Sequence, residues 1–298
     1  MLERTECDIC GNDAFRLFER YTRWPGLEIV RCLKCGHVFT KQIMDDREYD
    51  LFYQDYHRKV AAYDKDYDFH DKAKYRQKIT VFKQILGAVG KHSAAGGGRR
   101  LLDVGCYLGS FLDYARTRGF ETWGCELDGN YVAYVAAKGH QCHHGTVDQL
   151  AFPDGFFDVI VLQEVFEHVP YPARMLDDLR RLLTPGGLLI IEVPNLYFHY
   201  VKGKIEKSVL KKLLGRPEVG LAPHHHLNHY TVKTLSRLMS RKGLAVVGVE
   251  MRKARAMAER HAVVMENTLY LWNHLADFLY KACRISLGNA IVLTARKE

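Results

Sequence analysis

The chain has 298 residues, of which 47% are hydrophobic, and a formal net charge of +8. This length allows one large domain with a small addition. The sequence has no apolar run near the roughly 20 residues of a membrane span and no N-terminal signal-peptide segment, so we expect a cytoplasmic protein without a transmembrane segment. The positive charge favours an acidic partner, such as a nucleic acid, a nucleotide-linked substrate or an anionic lipid.

Two Cys-x-x-Cys pairs lie near the N-terminus, 21 residues apart, and a glycine follows each pair. Four thiolates at this spacing are typical of a tetrahedral zinc site, and the glycines permit tight turns around the metal. A set of four cysteines leaves no open position for water, so the zinc should be structural. We predict a zinc ribbon over residues 1–40, rather than four free buried cysteines. Its predicted ligands are Cys7, Cys10, Cys32 and Cys35.

Residues 41–98 are predicted to form a linker and an N-terminal helical cap. The segment 48–68 is rich in tyrosine and charge. We interpret it as aromatic packing of the ribbon on the main domain; the alternative is a cap that faces the substrate. From Tyr75 to Val89 the apolar residues recur at helical spacing, and a flexible link follows.

The apolar run Leu101–Val104 predicts a buried parallel strand that ends at Gly105, and a helix follows from about Gly109. Glycines at such a turn let a ligand approach the backbone, and the helix N-terminus offers unpaired N–H groups. The next strand ends at Glu126, about twenty residues further on, where doubly wound folds place a carboxylate on ribose hydroxyls. The pattern indicates a nucleotide-type cofactor, with an ordinary strand-to-helix turn as the alternative.

Two cofactors fit this pattern, a dinucleotide and S-adenosylmethionine. The dinucleotide fingerprint requires a glycine where this chain has Tyr107, and Asp103 would repel a pyrophosphate. S-adenosylmethionine carries a cationic sulfonium and an ammonium group, which a carboxylate attracts. The residues therefore favour S-adenosylmethionine.

At this loop the sequence resembles the class I S-adenosylmethionine-dependent methyltransferases. Their first motif, D-x-G-x-G-x-G, is matched at Asp103, Gly105 and Gly109, and a subgroup acting on sugars also has a non-glycine residue at the middle position. Strand and helix alternate from residue 99, which predicts an α/β fold with a parallel sheet. The resemblance implies a doubly wound, seven-stranded Rossmann-like methyltransferase sheet over residues 99–298, with an antiparallel last strand.

The resemblance also implies which residues hold the cofactor. The segment Gly145–Asp154 resembles the family's G-D-A-x-x-L-P-F loop, which holds adenine, and this points to Val147 and Asp148. Gln163, at the end of the fourth strand, falls beside the methionine part, and Tyr75 is a candidate for contacting its carboxylate. The full predicted set is Asp103, Gly105, Cys106, Gly109, Glu126, Leu127, Val147, Asp148, Gln163 and Tyr75.

Four histidines lie within six residues before a predicted helix: His224, His225, His226 and His229. A second metal site, a solvated turn and a general base are the three interpretations. Adjacent residues rarely all point at one ion, and no acid is local, so we favour a base. A neutral imidazole, with an ordinary pKa of about 6.5, can take a hydroxyl proton.

Zinc-ribbon sugar methyltransferases have a similar Y-H-E-H-L-S-Y-F pattern, in which the second histidine is the proposed base. It aligns with His226, and the family's first histidine aligns with His224. His168, just past the end of the fourth strand, is the second candidate for the base. The predicted catalytic residues are therefore His226, His168 and His224.

Two helical insertions are predicted, near 199–220 and 254–284. The first is lysine-rich, which indicates either a solvated helix face or a clamp on an anionic group such as a nucleotide diphosphate. The second carries apolar residues at helical spacing, which would pack on the core or form a dimer face.

These features and the resemblance together predict an S-adenosylmethionine-dependent methyltransferase with a structural Zn²⁺. The predicted reaction is methyl transfer to a small-molecule, nucleotide-sugar or glycan acceptor, at a sugar hydroxyl. The alternatives are a sugar C-methyltransferase, an RNA methyltransferase and a non-catalytic binding module. Nucleic acid is the less favoured partner because no N-P-P-Y motif follows the fourth strand, where Gln163, Glu164 and Val165 stand instead.

Overall fold

The computed structural model describes residues 1–20, 26–45, 48, 72–93, 98–206, 221, 225–252, 275–284 and 286–298, and only the backbone of residues 20, 72–78, 205 and 206. Several predictions therefore fall outside the described residues. They concern the tyrosine-rich segment 49–68, the side chain of Tyr75, the lysines beyond residue 206, His224 and the second insertion up to residue 274.

The N-terminal region is built from short antiparallel strands. They are Leu2–Glu3 (β1), Phe15–Arg20 (β2), Glu28–Cys32 (β3), Val38–Thr40 (β4) and Gln42–Ile43 (β5). β1 pairs with β5, and β3 pairs with both β2 and β4. Gly11 and Gly36 have φ angles of +66° and +77°, a conformation that glycine adopts readily. Their N–H groups donate to the carbonyls of Cys7 (2.7 Å) and Cys32 (3.0 Å), so both Cys-x-x-Cys pairs form tight turns.

The second region alternates helix and strand, as predicted. Its helices are Lys72–His92 (α1), Ser110–Arg116 (α2), Gly129–Ala137 (α3), Pro172–Leu182 (α4), Leu196–Glu206 (α5), Val232–Arg241 (α6) and residues 275–283 (α7). Its strands are Arg100–Val104 (β6), Glu121–Glu126 (β7), Gln141–His144 (β8), Phe157–Gln163 (β9), Leu183–Pro194 (β10), Asn228–His229 (β11), Leu244–Met251 (β12) and Ala290–Lys297 (β13). Two short 3₁₀ helices cover Val147–Gln149 and Phe166–His168. Among the helices described, none is both long and apolar enough to cross a membrane.

Seven of these strands form one sheet in the order β12-β13-β10-β9-β6-β7-β8. The strands from β10 to β8 pair in parallel, and β13 runs antiparallel to its neighbours. The predicted seven-stranded sheet with an antiparallel last strand is thus confirmed. Side chains of β9 alternate between two buried clusters. Val159 and Val161 pack with α1 and α2, whereas Ile160 and Leu162 pack with α4 and α6.

β10 contains a segment whose residues are typical of a turn. This segment, Thr184–Gly187, lies within the strand. The pairing of β10 with β9 shifts register between Leu183 and Leu188. Proline and glycine interrupt the ladder here without ending the strand.

The N-terminal region and the main sheet share one core. β11 pairs antiparallel with β4, with Asn228 opposite Phe39, so a strand from the C-terminal half completes the ribbon's sheet. Phe39 belongs to the same buried cluster as Leu176 of α4. Asp8 Oδ2 accepts the N–H of Ala173 at 2.5 Å, in the first turn of α4. The N-terminal region is therefore attached through residues that lie far from it along the sequence, in α4 and β11.

Candidate active site

The loop after β6 has three residues in left-handed conformation: φ is +71° at Gly105, +51° at Tyr107 and +68° at Gly109. Tyr107 stands where the methyltransferase motif has its middle glycine. Its left-handed backbone conformation costs less free energy for glycine than for tyrosine. A Cβ at Gly105 would lie 2.4 Å from Cγ2 of Val165, so that position has no room for a side chain. The loop therefore follows a glycine-loop course in spite of the tyrosine.

Glu126, at the carboxyl end of β7, is only 6% exposed. Its Oε2 accepts the backbone N–H of Tyr107 at 2.9 Å. Its Oε1 accepts the N–H groups of Leu127 (2.7 Å) and Asp128 (3.2 Å). The residue predicted to bind ribose thus also holds the β6 loop against the end of β7, a role that the sequence pattern did not indicate.

Asp103 and Gln163, two predicted cofactor residues, contact each other across neighbouring strands. Asp103 is 2% exposed. Burial raises the pKa of its carboxyl to about 8; the hydrogen bond with Gln163 opposes the rise, and the negative charge of Glu126 adds to it. A cation placed beside Asp103 would reverse this shift, because an opposite charge favours the ionised form.

The thiol of Cys106 points into the protein. Its Sγ lies 3.7 Å from the Sγ of Cys142, and a Cβ at Gly124 would lie 2.6 Å from it. Any contact between Cys106 and a cofactor would therefore come from its backbone.

The predicted adenine loop lies beside the predicted ribose ligand, because the N–H of Gly145 donates to the carbonyl of Glu126 at 2.9 Å. Val147 is buried and Asp148 is exposed in the 3₁₀ helix that follows. Asp148 Oδ1 accepts the hydroxyl of Thr146 at 2.5 Å. Leu127, the residue after Glu126, is exposed.

The second group of predicted residues comes from two separate segments, one after β9 and one just before β11. His168 ends the 3₁₀ helix, and its Nδ1–H donates to the backbone carbonyl of His225 at 2.8 Å. The ring centroids of His168 and His226 are 4.9 Å apart. Ligand atoms of Glu167, His168 and His226 lie within 4.8 Å of one another. The structure therefore brings two of the three predicted catalytic histidines together and adds a buried carboxyl group to them.

Both imidazoles are neutral in this environment. Burial lowers the pKa of His168, against the hydrogen bond to His225. Burial also lowers the pKa of His226, far below its ordinary 6.5, and neighbouring histidines lower it further. His226 therefore keeps a lone pair at physiological pH, but it is a weaker base than the ordinary pKa expected from the sequence implies.

A buried ion-pair cluster lies next to these histidines and was not predicted. Arg252 donates through Nη1 to Glu164 Oε1 at 2.8 Å, and its Nε lies 2.6 Å from Glu192 Oε1. Burial lowers the pKa of Arg252, but the carboxylates of Glu192 and Glu164 more than offset that and raise it. Glu164 has a φ of +54°, in the left-handed region. The sequence signal that could have found the cluster is Glu192, an acid inside the apolar run of β10.

The ribbon holds the histidine segment in place. The N–H of Thr40 donates to the carbonyl of Leu227 at 2.9 Å. Asn228 Nδ2 donates to the carbonyl of Val169 at 2.7 Å, one residue after His168. Asn228 Oδ1 in turn accepts Arg4 Nη1 at 2.9 Å. β11 thus links the ribbon to the 3₁₀ helix that carries His168.

The four predicted zinc ligands converge. The Sγ atoms of Cys7 and Cys35 are 3.6 Å apart, and those of Cys10 and Cys32 are 3.5 Å apart. Zn–S bonds of about 2.3 Å in a tetrahedron require sulfur atoms about 3.8 Å apart. All four thiols are buried and lie within 4.8 Å of one another, so the set fits a zinc ion.

The chain is similar to curated methyltransferases. A probable S-adenosylmethionine-dependent methyltransferase from Mycolicibacterium smegmatis is 32% identical over 123 residues, which are 41% of this chain and 45% of that protein. A ubiquinone biosynthesis O-methyltransferase from Psychrobacter cryohalolentis is 32% identical over 107 residues, 33% of this chain and 42% of that protein. The chain thus spans less than half the length of these relatives.

Solved structures share the fold. The PH0226 protein from Pyrococcus horikoshii has a TM-score of 0.51 at 15% identity, covering 78% of this chain and 94% of that one. The model of a family described as a methyltransferase domain matches residues 63–249. Because that match covers more than half of the sequence, the chain belongs to this methyltransferase family.

Proposed function

We propose that the chain transfers a methyl group from S-adenosylmethionine to a hydroxyl of a small-molecule, nucleotide-sugar or glycan acceptor, with a sugar hydroxyl as the first candidate. One observation carries the proposal. The predicted cofactor residues Gly105 and Glu126 lie at the carboxyl ends of β6 and β7, His168 follows β9, the strand beside β6, and His226 lies next to His168. Val165, from the segment after β9, packs against Gly105 of the cofactor loop. Open α/β sheets bind their ligands at this edge.

The residues of the β6 edge fit a cationic cofactor. Asp103 and Gln163 would hold its methionine part, Glu126 would accept its ribose hydroxyls, and Val147 and Asp148 would hold adenine. The raised pKa of Asp103 supports this assignment, because a buried carboxyl beside a cation gains a partner that it otherwise lacks. When bound, S-adenosylmethionine supplies a methyl group that leaves its sulfur as the acceptor oxygen bonds to it.

We propose that His226 acts as the general base and accepts the proton of the acceptor hydroxyl. His168 is the second candidate. Both imidazoles are neutral, so each can accept a proton. His168 is held in one tautomer by its Nδ1–H bond to His225, which leaves Nε2 as its accepting atom. Oxygen as the methylated atom is supported by relatives named as O-methyltransferases and by the histidine pattern.

We propose that Cys7, Cys10, Cys32 and Cys35 hold a structural zinc ion. The separations of their sulfur atoms support this, as does their burial. The ion would stabilise the two turns that precede β2 and β4. Since β4 pairs with β11, it would also stabilise the histidine segment.

Candidate nucleotide-sugars, glycans and phenols can be screened with S-adenosylmethionine labelled in its methyl group. Because a positioned base contributes about 10²–10⁴-fold to rate, His226→Ala should lower turnover by that factor with little change in cofactor affinity. His92→Ala, at the end of α1 and before β6 begins, is the matched control. A His226→Ala loss below about tenfold would remove the base assignment. Methyl transfer only to carbon or nitrogen atoms would contradict the proposal that a hydroxyl is the acceptor.

A further inference from the structure

Glu167 lies close to two histidines, an arrangement that general-base catalysis does not require. The carboxylate of Glu167 and the rings of His168 and His226 each offer one ligand atom, all within 4.8 Å. We propose that these three residues bind a divalent transition-metal ion, Zn²⁺ being the first candidate, and that the ion binds the oxygen of the methyl acceptor. The metal site stands on its own residues; the identity of the acceptor rests on the proposed function.

Glu167 is the residue that most needs such a partner. It is 1% exposed, and neither of its carboxylate oxygens receives a hydrogen bond from another described residue. A buried carboxyl in this position either keeps a proton or gains a cation.

The surrounding charges favour a cation. Arg252 interacts electrostatically with Glu167. Its guanidinium already forms ion pairs with Glu164 and Glu192. The carboxylates of Glu164 and Glu192 also add negative charge near Glu167. A bound ion with two positive charges would be the largest local charge and would compensate Glu167 directly.

The imidazole of His168 is oriented as a ligand. Its Nδ1–H donates to the carbonyl of His225, and its Nε2 lies 3.8 Å from Glu167 Oε1. Metal-bound histidines almost always donate their other N–H to a carbonyl or carboxylate in this way.

The donor set selects the class of ion. Two imidazoles and one carboxylate suit Zn²⁺ and other first-row divalent metals, whereas Mg²⁺ and Ca²⁺ prefer oxygen ligands. Zinc bonds of about 2.0–2.1 Å require ligand atoms roughly 3.3 Å apart in a tetrahedron. The distance of 3.8 Å between Glu167 and His168 is close to that value, and the largest separation, within 4.8 Å, would close on binding.

Three ligands leave a position open, unlike the four cysteines. An acceptor hydroxyl bound there would lose its proton more easily, because the metal lowers its pKa. The proton would pass to solvent, and the acceptor oxygen would then attack the methyl group. In this state the lone pair of His226 lies on the ion, so the ion replaces the free imidazole.

The test is the number of zinc ions bound per chain, measured on the full protein by equilibrium dialysis against ZnCl₂ followed by elemental analysis. Wild type should bind two ions, whereas His226→Ala and Glu167→Gln should each bind one and weaken the second by on the order of a hundredfold or more. His92→Ala should still bind two. Circular dichroism and cofactor affinity show that each variant is folded.

Co²⁺ spectroscopy of wild type identifies the donors without any variant. The four-thiolate site should give intense sulfur-to-metal absorption, and the second equivalent should add weak bands of a nitrogen and oxygen site. Saturation of wild type at one equivalent would overturn the metal site, while a large His226→Ala loss of turnover would still support the free base. Two equivalents together with no transfer to any hydroxyl would overturn the proposed acceptor but leave the metal site in place.

Discussion

The affinity for S-adenosylmethionine should depend on pH through Asp103. The pKa of this carboxyl is about 8 in the free protein, and binding of a cation beside it requires the ionised form. Below pH 8 the cofactor must therefore displace a proton, so affinity should rise as pH rises and fall about tenfold for each unit below 8. At pH 6 we expect roughly a hundredfold weaker binding than at the plateau, with about one proton released per cofactor bound.

Calorimetry in two buffers of different ionisation enthalpy measures both quantities. The cofactor's own α-amino group titrates near pH 8, so the decisive comparison is with Asp103→Asn. This variant keeps the size of the side chain and cannot ionise. It should bind weakly and lack the rise between pH 6 and 8. If wild type and Asp103→Asn show the same pH dependence, Asp103 does not hold the cation.

Two further predictions concern the backbone of the β6 loop and the proposed four-cysteine zinc site. Gly105→Ala should weaken cofactor binding at least tenfold, because a left-handed non-glycine residue costs about 1–2 kcal/mol and its Cβ would meet Val165 at 2.4 Å. Gly90→Ala, in α1 with open space around it, should leave affinity unchanged in the same titration. Cys32→Ser should lower zinc content and turnover while cofactor affinity stays within about threefold, since the ribbon holds the histidine segment; Cys283→Ser is the control. A parallel loss of cofactor affinity would contradict this separation.

The geometry of the proposed cofactor site could be predicted in outline because its sequence signals are local. The turn at Gly105, the carboxylate of Glu126 and the helix that follows all lie within one strand–helix–strand unit. The motif could be identified although Tyr107 replaces its middle glycine. The left-handed φ of Tyr107 explains why glycine is common at this position. What the pattern could not show is that Glu126 also binds the N–H of Tyr107, since that contact depends on loop geometry rather than residue type.

The surroundings of the proposed catalytic histidines could be predicted only in part. The sequence argued against a metal among the histidines because no acid was adjacent, yet Glu167 reaches them from the end of another strand. The Arg252 cluster likewise joins residues 88 positions apart. Such contacts follow from the order of strands in the sheet, and periodicity along the chain does not encode them. Burial lowers the pKa values of His168 and His226, and this burial also depends on contacts between segments that are distant in the sequence.

The pairing of β11 with β4 also sets an order of events during synthesis. His37 and Asn228 are hydrogen-bonded although 191 residues separate them. At about 5–20 residues per second, the ribosome needs roughly 10–40 s to make that length of chain. During this interval β4 is an exposed strand edge, which other chains can pair with. Early zinc capture would keep the short ribbon folded around that edge until its distant partner emerges.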